Sequence, residues 1–284
     1  MSALAQNTQD WLEFRKDKIG ASDCPVIMGV SPWATPAELW EEKLGLRASR
    51  PMHTGMKRGH DLEEEARIQY QILTGFLMSP DVKTHPKIKY MIASLDGIDI
   101  DGKMIVEIKC PNKVDHEMAK KGKVPEKYYP QLQHQLEVTG LDGMHYFSFD
   151  GNDGVLVEVE KDKDYIKRII EAERDFYRCL SDFECPPLTE KDYIERNDEI
   201  WLETAQEYKK ISDQLKVLDL RKEELRSSLL TMCGNRNTKG GGITVSQSLR
   251  RGSIDTEKLV KELDIRPEIV DKYRKKAVKS WRIT

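Results

Sequence analysis

The spacing of apolar residues changes three times along the chain, and each change predicts a different kind of element. Over residues 11–44 short apolar clusters are broken by Gly20, Gly29, Pro32 and Pro36, which predicts short helices, with Ser22 placed as an N-cap. Over residues 55–75 apolar or small side chains recur at Leu62, Ala66, Tyr70 and Leu73, a helical period that a glycine ends. From 76 to 109 the runs FLM, IKYMIASL, GIDI and KMIVEIK are short, rich in β-branched residues and separated by turn formers, which is strand behaviour. A helix over 125–139, a hairpin across 150–154 and a helix over 161–180 follow. Pro186-Pro187 then stops helical continuation, so residues 1–186 are expected to form one domain and 187–284 a C-terminal extension.

In that extension, apolar or aromatic residues at Trp201, Ala205, Tyr208, Ile211, Leu215, Leu218, Leu225, Leu229 and Met232 come close to a heptad repeat. The spacing predicts one helix over 198–232, about 50 Å long, with Lys222 interrupting the stripe. Gly240-Gly241-Gly242 leads to a short strand, ITVSQSL, and a basic helical tail ending in Trp281.

Composition narrows the class. No run approaches the ~18 apolar residues of a spanning helix, and the polar first ten residues carry no apolar signal region, so a cytoplasmic protein is expected. Five cysteines, odd in number and without a CxxC pair, argue against a disulfide framework and against a cysteine-held metal. The 46 basic and 49 acidic side chains nearly cancel in total but not locally: residues 250–284 hold 11 basic and 6 acidic, a candidate basic surface.

The chemistry concentrates in ASLDGIDIDGKMIVEIKC, residues 93–110. Asp101-Gly102 between two β-rich runs predicts a two-residue hairpin turn, which sets Asp96 across from Glu107 and Ser94 across from Lys109. Alternation then puts both carboxylates and Lys109 on one face. Opposed carboxylates require a cation or full solvation, and a hard ion such as Mg²⁺ suits two carboxylates plus a backbone carbonyl. Lys109 stands ready to orient or deprotonate a water, or to contact a phosphate, so the set suits phosphodiester hydrolysis. An exposed edge hairpin with a Glu107–Lys109 ion pair is the plainer alternative. Glu63 sits on or beside the inward stripe of the 55–75 helix and needs a partner there, either the lysine or a metal-bound water. In YYPQLQHQLEVTG, Gln131 and Gln135 share a helical face while Gln133 turns away, so at least one glutamine faces the core or the site.

Trp11, Arg15, the run Ile19-Gly20-Ala21-Ser22-Asp23, SPWATPAELWEEKLGL, Gly59-His60-Asp61-Leu62-Glu63, Ser94-Leu95-Asp96-Gly97, Glu107-Ile108-Lys109-Cys110-Pro111 and Gln131-Leu132-Gln133 occur in this order. Over about residues 8–180 the chain thereby resembles the lambda-exonuclease-like, or YqaJ-like, viral recombinase nucleases of the PD-(D/E)xK superfamily. The resemblance implies an α/β fold with a mixed central sheet flanked by helices and a two-metal site for Mg²⁺, with Mn²⁺ as a substitute. By motif position Asp96, Glu107 and the Ile108 carbonyl would hold metal, Lys109 would activate a water positioned by Glu63, and Gln131 or Gln133 would line the site. Arg15 and Ser22, joined by Ser94, would hold a 5′ phosphate, an assignment that suits the bidentate chemistry of arginine with phosphate. Trp11 would stack on a terminal base or anchor the core.

The activity so implied is a 5′-to-3′ exonuclease that digests one strand of linear duplex DNA to 5′-mononucleotides. It would leave a 3′ single strand for a single-strand annealing protein, in the cytoplasm of a bacterium carrying a phage or prophage. A ring-shaped homo-oligomer, first of all a trimer, would explain processivity. The first motif is S-L-D-G without the proline, and residues 113–127, with five lysines against three acids, match no motif and suggest a loop contacting the DNA backbone. Two rivals remain at this stage: a sequence- or structure-specific endonuclease of the same superfamily, which has no need of Arg15, and a non-catalytic DNA-binding scaffold, which has no use for opposed carboxylates.

Overall fold

The computed structural model describes residues 8–48, 54–266, 269–270, 272–273 and 283, in two compact units divided between Tyr193 and Ile194. The division falls past the proline pair because a 3-10 turn at Glu190–Asp192 is tied to the first unit by the Thr35 hydroxyl, which donates to Asp192. Trp281 and most of the expected basic tail lie outside the described residues.

The first unit opens with α1 (Gln9–Arg15), a two-residue strand β1 (Ile19–Gly20), α2 (Cys24–Ile27), α3 (Pro36–Lys43) and α4 (Thr54–Thr74). Next come β2 (Met78–Thr84), β3 (Met91–Asp99), β4 (Ile105–Lys109), α5 (Lys113–Lys120), α6 (Tyr129–Thr139), β5 (Gly143–Phe149), β6 (Gly154–Glu160) and α7 (Lys163–Asp182). α3 starts on a full capping box, Thr35 with Glu38, and Pro36 at its first position. The lysine-rich segment expected as a loop is mostly α5, N-capped by Asn112, with Lys127 paired to Asp115 and Lys120 to Asp153.

The strands form one mixed sheet in the order β1-β3-β4-β5-β6, with β2 also on β3. α4 covers one face, where Ala66, Tyr70, Val106, Ile108 and Phe147 pack together. The other face is covered by α6, with Leu132 and Leu136 against Leu95, Ile105 and Tyr146. Alternation along β4 therefore sends Val106 and Ile108 toward α4 and Ile105 and Glu107 toward α6. Leu73, expected on the inward stripe of α4, is 60% exposed, one turn past the last buried position, Tyr70.

β3 controls the site. One of its edges is taken by β2 along Ile92–Asp99. Its other edge pairs with β1 at Met91 and Ile92 and with β4 only at Gly97 and Ile98, so the stretch between has no ladder partner on that side. The pairs Gly97–Val106 and Ile98–Ile105 keep the register expected from the hairpin. The connection is longer than two residues, because the Asp99 carboxylate accepts the amides of Lys103 and Met104 and stretches the turn over residues 100–104. Gly102 has φ 69°, which suits a residue without Cβ. Opposite, the register of β2 shifts between Ser79 and Asp81, a bulge that sets Pro80 against Asp96 and Gly97. A proline, having no N–H for the ladder, fits there, and a bulge re-aims the side chain it faces. Gly97 also has no room for a side chain: a Cβ would lie 2.8 Å from Met78 and 2.9 Å from Val106.

The second unit contains α8 (Glu199–Cys233), capped by Asp198, a small hairpin of β7 (Thr238–Gly240) and β8 (Ile243–Val245), and α9 (Thr256–Glu262). Among the described residues no helix is long and apolar enough to cross a membrane.

Candidate active site

The unpaired edge of β3 is filled by side chains. The Asp96 carboxylate accepts the Ile108 N–H at 2.8 Å, taking the place of a ladder bond where β3 and β4 diverge. Glu107, 2% exposed, accepts from Lys109 and Gln131 on one oxygen and from Gln135 on the other. Gln135 also donates to the Ser94 carbonyl at 3.3 Å. Two carboxylates, one ammonium and two amides thus share a largely dry space. Burial first, and Glu107 next, push the Asp96 carboxyl well above the usual carboxylate range, against the pull of Lys109. Burial opposes the charge on Lys109, but Glu107 and Asp96 outweigh it and hold its amine above the ordinary lysine value. Lys109 is thereby held as a cation between the two carboxylates, placed to face a phosphate oxygen or a water.

Next to this set lies a second one. Arg15 stacks over the Trp11 ring, 4.5 Å from its centroid, and donates to the Ser22 hydroxyl at 3.3 Å. The Trp11 indole N–H donates to the Ser94 hydroxyl at 3.2 Å, and Trp11 is 8% exposed, so it lines and anchors the pocket. Asp23 holds Arg15 from behind at 3.5 Å and is itself held by Lys43 at 2.8 Å and the Gly20 N–H at 2.9 Å. Burial alone would raise the Asp23 carboxyl, but Lys43 and Arg15 outweigh it and lower it, so Asp23 is an anion that orients Arg15. A cavity of about 190 Å³ joins the two sets, lined by Trp11, Arg15, Ser22 and Ser94 together with Asp96, Glu107, Lys109 and Gln131. That is room for about six waters or a phosphate with part of its shell.

Two expected residues sit differently. Gln133 faces away, donating to the Glu160 carbonyl and accepting the Asp162 N–H, so it ties α6 to the end of β6 and does not line the site. The helical period decides this: Gln135, four residues from Gln131, takes the place beside Glu107. Glu63 is paired with Arg67 at 2.8 Å, not with Lys109, and Arg67 in turn donates to the Asp96 carbonyl at 3.0 Å. Glu63 reaches the site's rim through that arginine.

Beneath the pocket, the Ile92 carbonyl accepts both the Ala21 N–H at 3.1 Å and His134 Nε2 at 2.9 Å, and His134 Nδ1 meets Glu173 at 2.7 Å. Cys24, His134 and Glu173 have potential ligand atoms within 4.8 Å of one another, but both ring nitrogens are already engaged, so the cluster acts as a tie between α2, α6 and α7. Burial disfavours charge on His134, yet Glu173 outweighs it and raises the imidazole above its ordinary value. A raised folded value means the tie contributes fully below the ordinary histidine pKa and fades as pH rises through the raised one. Glu173→Gln is expected to cost about 3 kcal/mol at pH 6 by urea unfolding, with a smaller difference at pH 9.

The donor set fits a hard divalent ion. Asp96, Glu107 and the Ile108 carbonyl are oxygen donors, and two buried carboxylates beside a single lysine suit a small cation.

Residues 10–142 match the YqaJ-like viral recombinase domain. The chain is 30% identical to the uncharacterized protein YqaJ of Bacillus subtilis over 184 residues, 61% of this chain and 58% of that one, so the match spans little more than half of that relative. Among solved structures it is similar to the alkaline exonuclease LHK-Exo from Laribacter hongkongensis, with TM-score 0.55 and 28% identity over 62% of this chain and 94% of that one. LHK-Exo in complex with dAMP matches with TM-score 0.54 and 29% identity over the same shares. The fold is that of the PD-(D/E)xK nucleases, a mixed sheet flanked by helices.

Proposed function

We propose that this chain, whose residues 10–142 form a YqaJ-like viral recombinase domain, is a Mg²⁺-dependent 5′-to-3′ exonuclease acting on one strand of duplex DNA from its end. The observation that carries the reading is the single cavity that joins the carboxylate pair and Lys109 to an anion pocket of Arg15, Ser22 and Ser94. An enzyme that cuts next to a 5′ phosphate needs both in one place; an internal cutter needs only the first. The complex of LHK-Exo with dAMP, a 5′-mononucleotide, supports a product of that class here.

Asp96, Glu107 and the Ile108 carbonyl would hold Mg²⁺, one ion or two, with Mn²⁺ as a substitute; bound there, it supplies Lewis-acid charge and a more acidic water. Glu107 is fixed in orientation by the amides of Gln131 and Gln135. Lys109 faces the charge that builds on the scissile phosphate. Glu63, through Arg67, fixes the β3 backbone at Asp96. Arg15, fixed by Asp23, grips the terminal phosphate with Ser22 and Ser94, and Trp11 closes the pocket behind it.

The first unit, through Tyr193, would then be the nuclease domain and the second unit its extension. A ring of chains, a trimer in its simplest form, would keep the DNA enclosed, and the exposed 3′ strand would pass to a single-strand annealing protein in the host cytoplasm. Incubating end-labelled linear duplex with Mg²⁺ and separating the products tests the chemistry. The expected result is 5′-mononucleotides that vanish when EDTA is added; EDTA-resistant cleavage or long oligonucleotide products would overturn it.

A further inference from the structure

α8 carries an apolar stripe for which the nuclease reading has no use. Positions 201, 208, 215, 222 and 229 form one column of a seven-residue repeat and 204, 211, 218, 225 and 232 the other. All are apolar or aromatic except Thr204 and Lys222. A repeat of seven held over more than four turns is the pattern of a left-handed coiled coil, since a helix packed on an irregular surface has no reason to keep it. Yet Tyr208 and Ile211 are each 48% exposed, Leu215 55% and Leu218 63%. Among the described residues no second helix covers the stripe.

We propose that α8 pairs with α8 of a second copy of this chain, antiparallel and centred on Asp213. The charges select that occupant and that direction. In a parallel pair, Lys222 would meet Lys222 in the core and Arg221 would flank Arg226 of the other chain, two like-charge contacts. In the antiparallel pair centred on Asp213, Ile211 packs on Leu215 and Tyr208 on Leu218. The two polar core positions, Thr204 and Lys222, meet in one layer. Glu207 then flanks Arg221 of the second copy, and by symmetry the contact occurs twice. In the monomer Arg221 is paired with Glu224 on its own exposed face, a bond easily exchanged. The antiparallel register shifted by one heptad, which pairs Leu215 with Leu218, sets Lys222 against Ile211 and loses the Glu207–Arg221 contacts. Such pairing requires an even number of chains: two, or six if the nuclease units close as trimers.

The test measures the mass of the full chain by light scattering and its association by sedimentation equilibrium, without DNA, so the result is independent of whether the nuclease reading holds. Wild type is expected at an even multiple of the chain mass. Leu215→Asp, which puts a charge into two core layers, should halve that mass while circular dichroism stays helical. Glu207→Arg and Arg221→Glu alone should each weaken association about tenfold, through two lost pairs and two new repulsions, and the two together should restore it. A monomer, an odd multiple, or an unchanged mass for Leu215→Asp overturns the pairing. Failure of the double variant to recover overturns the antiparallel register.

Discussion

Glu107→Gln is expected to lower DNA cleavage about a thousandfold, with the fold intact by circular dichroism. Glu107 is 2% exposed, and both its oxygens accept: Lys109 and Gln131 on one, Gln135 on the other. An amide of the same shape keeps one acceptor and turns an N–H toward a donor it cannot bond. It also removes one of the two negative charges that would hold the metal. Loss of that charge relieves Asp96, whose carboxyl Glu107 helps to raise, so part of the stability cost is returned while the activity is not. The measurements are single-turnover cleavage of end-labelled duplex and Mn²⁺ binding by electron paramagnetic resonance. Cleavage within tenfold of wild type would show that Glu107 is a structural acceptor only.

Arg15→Ala is expected to erase the preference for a 5′-phosphorylated end over a 5′-hydroxyl end, lowering use of the phosphorylated end roughly 10- to 100-fold. The guanidinium is set by three contacts, the Trp11 ring, the Ser22 hydroxyl and Asp23, and its charge is the pocket's own. Its removal leaves Asp23 neutralised by Lys43, so the pocket loses the positive charge that would attract the terminal phosphate. The loss should therefore appear in the concentration of phosphorylated ends needed for half-maximal rate, with cleavage of hydroxyl ends little changed. An equal fall for both kinds of end would assign Arg15 to the fold and not to the phosphate.

The sequence carried the register of β3 on β4, because turn residues and alternation set it, and the pairs Gly97–Val106 and Ile98–Ile105 keep it, but the ladder ends there and does not pair Asp96 directly with Glu107. The bulge at Pro80 was not legible, since it depends on a strand whose pairing partner the local pattern does not name. Its effect is large: β3 and β4 part at Asp96, and the carboxylate takes the Ile108 amide itself. Helical periodicity already grouped Gln131 with Gln135, and motif position, which pointed to Gln133 as well, conflicts with it; the period prevails, and Gln133 serves the end of β6. Asp23 and Lys43 were missed as a pair because they stand twenty residues apart, one in the turn before α2 and the other at the end of α3, and meet only when α3 folds over the Gly20 loop. Asp23 had a signal in the run Gly20-Ala21-Ser22-Asp23 and Lys43 lay within SPWATPAELWEEKLGL, but nothing in either run names the other as its partner. Glu63 was rightly given a need for a partner, but the partner lies on the next turn of its own helix, Arg67, a common solution at i and i+4.

If the cavity couples an end-gripping pocket to the cleaving groups, cutting should occur at ends and not inside. The direct measurement gives the wild-type protein, with Mg²⁺, equal amounts of a linear duplex labelled at a 5′-phosphorylated end and the same DNA as a covalently closed circle. The account predicts steady release of the 5′ label from the linear DNA and an untouched circle. Nicking or linearisation of the circle at a comparable rate would contradict it.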